Sequence, residues 1–210
     1  MTSPSCRHHH HHYHHHYYYY PPQPASNYGH EFGHYPAPPS APPLLHPHGG
    51  ETFHDLSSKP SYKVYCKANP NFHLAIRDGE VVLARADPND PCQNWFKDDK
   101  HSARVKDEQG YPCFSLVNKA TGLALKHSGD TSRVQLVAYN ESDVVDQSVL
   151  WSLGRDEGGG FRAMRMASDI HLNVDACRGN KECGGVRDGT TIVLWQWNQG
   201  RNQQWKIVPQ

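Results

Sequence analysis

The chain has 210 residues, and its 21 Lys and Arg balance its 21 Asp and Glu, so the formal charge is zero with His neutral. The cations are scattered, which leaves no basic stripe for nucleic acid and no acidic tail for a cationic partner. No apolar run approaches the ~20 residues that span a bilayer, and the first 30 residues lack an apolar signal-peptide core, so secretion by that route is not expected.

Residues 1–58 carry 13 of the 17 His and 7 of the 11 Tyr, and their only aliphatic side chains besides Met1 and Ala are Leu44, Leu45 and Leu56. Such a stretch buries too little apolar surface to offset its ordering entropy and reads as a disordered arm. The run His8–His12, Tyr13, His14–His16, Tyr17–Tyr20 continues in bias through His30, Tyr35 and His48, with Pro21, Pro22, Pro24, Pro36, Pro38 and Pro39 keeping the backbone extended. Its imidazoles would bind Ni, Cu or Zn in vitro. A spacer with incidental metal affinity is the plainer reading; recruitment of protein partners is the other.

Residues 59–210 suffice for one domain with one core. In chain order, Tyr62, Val64 and Cys66 alternate with polar neighbours. Tyr111, Cys113, Phe114 and Leu116 open a second such stretch, and Phe161, Ala163, Met164 and Met166 a third. Period-two alternation indicates half-buried strands. Turn residues interrupt at Asn69-Pro70-Asn71, Asp78-Gly79, Asn118 to Gly122, Ser128-Gly129-Asp130, Gly158 to Gly160 and Arg187-Asp188-Gly189, leaving no room for a long helix.

A repeat organises these strands. Leu74, Leu123 and Leu172 recur every 49 residues, in the triplets Leu74-Ala75-Ile76, Leu123-Ala124-Leu125 and Leu172-Asn173-Val174. Each unit closes on a Gln followed by a Trp: Gln93 and Trp95, Gln147 and Trp151, Gln203 and Trp205. Self-similarity at a fixed period means one supersecondary unit copied, each copy unable to bury its own apolar face. Three units, about 60–109, 110–158 and 159–210, with four strands each, predict an all-β, closed three-fold body. Trp95, Trp151 and Trp205 are expected in its core.

This pattern resembles the β-trefoil of ricin-B-type lectins, and more specifically the plant lectin family related to the Euonymus agglutinin. The segments that carry the resemblance are Ser61 to Phe72 and Asp188 to Gln210, the latter containing Leu194-Trp195-Gln196-Trp197-Asn198 and Asn202-Gln203-Gln204-Trp205. The resemblance covers about residues 60–210. It implies glycan binding without catalysis, by a protein of the plant cytoplasm and nucleus linked to stress responses, and a low-complexity N-terminal extension fits it.

A sugar site needs an aromatic face, a carboxylate to accept from neighbouring hydroxyls, and amides that both donate and accept. Alignment on the Leu triplets puts Asp175 where unit one has Arg77 and unit two Lys126. A cation cannot accept hydroxyl protons, so only unit three keeps the anchor. Unit three alone also brings indoles, Trp195 and Trp197, where units one and two have Ala84 and Ala86, and Val137 and Tyr139. The positions that match the ricin-type acid, aromatic and amide pair are Asp175, Trp195, Asn202 and Gln203, with Trp197 and Asn198 as alternates. Val193 stands where the ricin pattern often has a Gln. One of the two indoles is expected in the core, with Trp195 the exposed one. Turn capping by Asp175, and backbone satisfaction by Asn202 and Gln203, are the competing readings.

No nucleophile elbow, zinc-protease helix or phosphate loop appears, so neither an enzyme nor a cofactor is expected. The acid pairs Asp98-Asp99 and Asp107-Glu108 read as solvated turns beside Lys97, Lys100 and Lys106. His73 and His171 read as one repeat position, each just before the Leu. Cys177 and Cys183 flank a Gly-containing loop and are expected as free thiols rather than a ring, and no second ligand pair makes them a zinc site. Cys66, Cys92 and Cys113 read as small hydrophobes. The function this supports is binding of glycans or glycoproteins. The alternative is a non-lectin adaptor using the Trp195-Trp197 edge and the arm.

Overall fold

The computed structural model describes residues 55–127 and 133–210. The His/Tyr/Pro-rich stretch up to residue 54 and the predicted turn at Ser128-Gly129-Asp130 lie outside the described residues.

Six strands close a barrel. They are β1 (Tyr62–Cys66), β4 (Trp95–Asp98), β5 (Cys113–Asn118), β8 (Trp151–Asp156), β9 (Arg162–Met166) and β12 (Gln204–Pro209). Antiparallel pairing runs from β1 to β4, β5, β8, β9 and β12, and back to β1. Closure leaves these strands no free edge. The other six form three hairpins that cap one end: β2 (Phe72–Arg77) with β3 (Glu80–Arg85), β6 (Leu123–Lys126) with β7 (Gln135–Ala138), and β10 (Asp169–Ala176) with β11 (Thr190–Gln196). This is a β-trefoil, built from the predicted three units of four strands. The described residues contain only three-residue 3-10 turns as helical elements.

The three repeat tryptophans are fully buried. Each indole N–H donates to a hairpin carbonyl: Trp95 to Leu74 at 2.9 Å, Trp151 to Leu125 at 3.1 Å, and Trp205 to Val174 at 2.7 Å. A buried indole N–H without a partner would carry a desolvation cost of roughly 1–3 kcal/mol. Here it ties each barrel strand to its own hairpin.

Those bonds also correct the repeat register. Leu74, Leu125 and Val174 are the equivalent residues, and they pair across their hairpins with Leu83, Leu136 and Leu194. The matching triplet in unit one is therefore Phe72-His73-Leu74, two residues earlier than the Leu pattern indicates. His73 matches Asn173 rather than His171. The slot of Asp175 holds Lys126 in unit two and Ala75, not Arg77, in unit one. Ala75 is fully buried, whereas Arg77 ends β2 and pairs with Asp188 at 2.7 Å. Unit one still lacks an acceptor, but through an apolar residue instead of a cation.

Two more expectations change. Asp107 is buried, not solvated: it accepts from Ser152 Oγ at 2.6 Å and from the backbone of Gln109 and Tyr111, and it pairs with the Arg165 guanidinium. Leu56 belongs to the packed body rather than to the arm. It is buried against Phe96, Val117, Ala124 and Val149 in a second apolar cluster. Burying a Leu side chain stabilises by about 1.5–3 kcal/mol. A chain starting at Lys59 should therefore unfold at lower urea than one starting at Asp55, with about that loss of stability. Equal midpoints would show that Leu56 contributes nothing.

Candidate functional site

The third hairpin carries the candidate residues because strand alternation sorts them. His171, Asn173 and Asp175 share one face of β10, and the register sets Asn173 opposite Trp195 and Asp175 opposite Val193 on β11. Around Asp175, Val193 and Trp195 lies a cavity of about 600 Å3. Asn198, Gly200 and Asn202 also line it, with the loop bearing Cys177, Arg178, Asn180, Glu182 and Cys183.

Asp175 is its anchor. The carboxylate is buried and accepts from Asn202 Nδ2 at 3.0 Å, and the same amide donates to Ala176 O at 3.2 Å. Asn202 Oδ1 is buried with no hydrogen-bond partner. Burial pushes the Asp175 carboxyl up to about 6, against the opposing pull of the Gln203 and Asn202 side chains. No cation of the described residues holds this carboxyl down, unlike Asp188 beside Arg77. An acid that is costly to ionise, next to an unpaired acceptor, suits a ligand that brings hydroxyl donors.

Two glycines lock this arrangement. A Cβ on Gly179 would stand 2.5 Å from Val186 Cγ1, 2.8 Å from Ala176 O and 3.1 Å from Asn202 Cβ. A Cβ on Gly200 would meet Asn202 Oδ1 at 2.4 Å and Asn198 Oδ1 at 2.7 Å. Strain gathers here too. Of the three non-glycine residues with positive φ among those described, Arg178 (54°) and Gln199 (64°) flank the cavity, and the third, Asp78 (51°), serves a hairpin turn.

The predicted residues divide. Asp175, Trp195, Asn198 and Asn202 come together, and Trp195 presents an exposed ring, 57% accessible. Gln203 does not line the cavity: it is fully buried, donating from Nε2 to Gln196 O at 2.9 Å and accepting from Asn198 N–H at 2.9 Å. Gln93 makes the same pair of bonds in unit one, to Arg85 O and from Asp87 N–H. Its role is thus to clamp the loop after the hairpin and position Asn198. Trp197 lies past the end of β11 and lines a different cavity. Neither indole enters the core, because residues two apart along an extended chain share a face. Sequence reasoning missed the 177–183 loop as a wall of the site. Its signal was the Gly179 and Asn180 punctuation, read there only as a spacer between two cysteines, which are both exposed and free.

No family model matches the chain. Among curated proteins, it is 52% identical over 178 residues to the ricin B-like lectin R40G3 of Oryza sativa subsp. japonica, covering 84% of this chain and 87% of the relative. The chain belongs to the plant ricin B-like lectin family. It is also 57% identical over 155 residues to the ricin B-like lectin EULS3 of Arabidopsis thaliana, covering 73% of this chain, and it spans about half (49%) of the length of that longer lectin. Solved structures share the fold at low identity. The Macrolepiota procera ricin B-like lectin in complex with lactose matches with TM-score 0.51 and 18% identity, over 72% of this chain and 96% of that one. A designed three-fold symmetric protein, ThreeFoil, matches with TM-score 0.53 and 19% identity, over 70% and 97%.

The raised Asp175 value has a signed consequence. A carboxyl whose folded value of about 6 exceeds the ordinary 3.8 favours the folded state when protonated. That contribution is fully present below about pH 3.8 and is lost as pH rises through about 6. Asp175→Asn keeps the shape and removes the charge. By scanning calorimetry the variant should melt above the parent at pH 7.5, with the gap closing towards pH 4. A lower melting point at pH 7.5 would mean that the ionised carboxylate is a structural support.

Proposed function

We propose that the chain is a glycan-binding protein without catalytic activity, acting through one site in unit three. Asp175 and Asn202 take the hydroxyl donors of a neutral sugar, Trp195 covers its C–H face, and Asn198 offers an adaptable amide at the rim. The observation that carries this reading is the buried, cation-free Asp175 held by Asn202 beside an exposed indole. The equivalent slots elsewhere hold Ala75 with Ala84, and Lys126 with Val137, which supports a single site. The family resemblance supports a setting in the cytoplasm and nucleus and a part in stress responses.

The strength of such a site follows from its parts. Three or four net hydrogen bonds at about 1 kcal/mol each, with about 1 more from stacking, come to roughly 4–5 kcal/mol. That corresponds to about millimolar affinity for one sugar residue. Tighter binding needs a longer oligosaccharide or several sites engaged together.

Two outcomes check this. On a glycan array at pH 7.5 the full chain should give signals that Asp175→Asn loses while remaining folded; equal signals from both proteins remove this cavity from the account. With a bound glycan, affinity should fall about tenfold between pH 7.5 and pH 5, as the ionised fraction of a group titrating near 6 falls to about a tenth. A flat profile over that range would mean that the carboxylate does not accept from the ligand.

A further inference from the structure

A second cavity, of about 310 Å3, lies beside the first on the same face of the third hairpin, and Trp197, His171 and Asn173 line it. Two of its lining residues, Asn173 and Arg165, belong to a row of cross-strand neighbours. Trp195 on β11 stands opposite Asn173 on β10, Asn173 opposite Arg165 on β9, and Arg165 opposite Ser152 on β8. Trp195 therefore separates the two cavities, with Asp175 on one side and Trp197 on the other. Two residues of extended chain span about 7 Å, comparable with one hexose unit.

The polar groups of these two residues are nearly, but not fully, used. Arg165 is buried and paired with Asp107. Its Nη1 donates to Gln109 Oε1 at 2.8 Å, and its guanidinium lies 5.1 Å from the centre of the Tyr111 ring. Arg165 Nε has no hydrogen-bond partner. Asn173 is 1% exposed; its Nδ2 donates to His171 O at 2.9 Å, and its Oδ1 has no partner. One unused donor and one unused acceptor thus sit on directly paired residues that line one cavity.

The chemistry of those two atoms selects a ligand class. A hydroxyl both accepts and donates, so it can serve either kind of atom without bringing a charge. A phosphate or carboxylate could satisfy the guanidinium Nε but not the Asn173 oxygen, and an ammonium the reverse. The charges agree. Arg165 is neutralised by Asp107, and Arg155 pairs with Glu157 at 2.9 Å, which leaves the cavity without a net charge to attract an ion. Tyr111 and Trp197 supply the aromatic surface that a pyranose ring needs.

We propose that this second cavity is a saccharide subsite that takes the next neutral residue of a glycan whose first residue sits against Asp175. The proposal rests on the glycan-binding reading of the first cavity and adds its preferred ligand: a linear neutral oligosaccharide lying along the third hairpin, straddling Trp195. The subsite explains how a shallow monosaccharide site gains affinity within one domain.

The test is isothermal titration of the full chain with three probe pairs: galactose and lactose, N-acetylglucosamine and chitobiose, and mannose and mannobiose. For the pair that the parent protein binds, the disaccharide should bind at least tenfold more tightly than the monosaccharide. Trp197→Ala removes a ring beyond the end of β11, and Asn173→Leu replaces the unpaired acceptor by an apolar group of similar shape. Each should bring the ratio of the two affinities close to one. Asp175→Asn should abolish binding of both members. Equal affinities in the parent protein, or a tenfold ratio that survives in both folded variants, would overturn the subsite while leaving the first site standing. Binding of a disaccharide that Asp175→Asn does not disturb would overturn the glycan-binding reading of the first cavity, and the subsite with it.

Discussion

One hydrogen bond, made three times, underlies this molecule. A fully buried indole at the start of each unit's last strand donates to a carbonyl of that unit's hairpin. It holds a cap hairpin against a barrel that is closed by backbone pairing and packed on a shared apolar core. Because the bond uses only backbone on the hairpin side, the hairpin's other side chains are free to differ between units. The scaffold is thus three-fold, while its chemistry is not.

Unit three uses that freedom. The strand position held by Ala75 and Lys126 in the other copies holds Asp175, and the second-strand position held by Ala84 and Val137 holds Trp195. A buried carboxylate without a cation is a poor choice for stability and a good one for recognition, because the ligand's hydroxyls can supply what the protein withholds. Gly179 and Gly200, the left-handed Arg178 and Gln199, and the unpaired Asn202 oxygen all cluster round the same cavity. Left-handed non-glycine residues beside a buried carboxylate and an unpaired acceptor at one cavity are the marks of a site rather than of the fold.

Much of this was legible in the sequence, and the failures have physical causes. Alternation and the recurring Trp revealed the three units, since both reflect burial that every copy must achieve. The register of unit one was misread by two residues because Phe72, Leu74 and Ile76 all face the core; a period-two pattern looks the same after a shift of two. Asp107 looked like a solvated turn because its partner, Arg165, lies 58 residues away, beyond any local charge pattern. Trp195 and Trp197 could not be told apart without the end of β11. Gln203 looked like a ligand contact, and only its match in Gln93 shows the amide spent on the loop. Leu56 was hidden by the composition of the segment before it.

The central claim is that ligand hydroxyls donate to an ionised Asp175. Carbon-13 NMR titration of that carboxyl, with and without saturating glycan, addresses it directly. The free protein should titrate near pH 6, and the complex should titrate clearly lower, since a ligand that prefers the carboxylate must lower its proton affinity. An unchanged or raised midpoint in the complex would contradict the account.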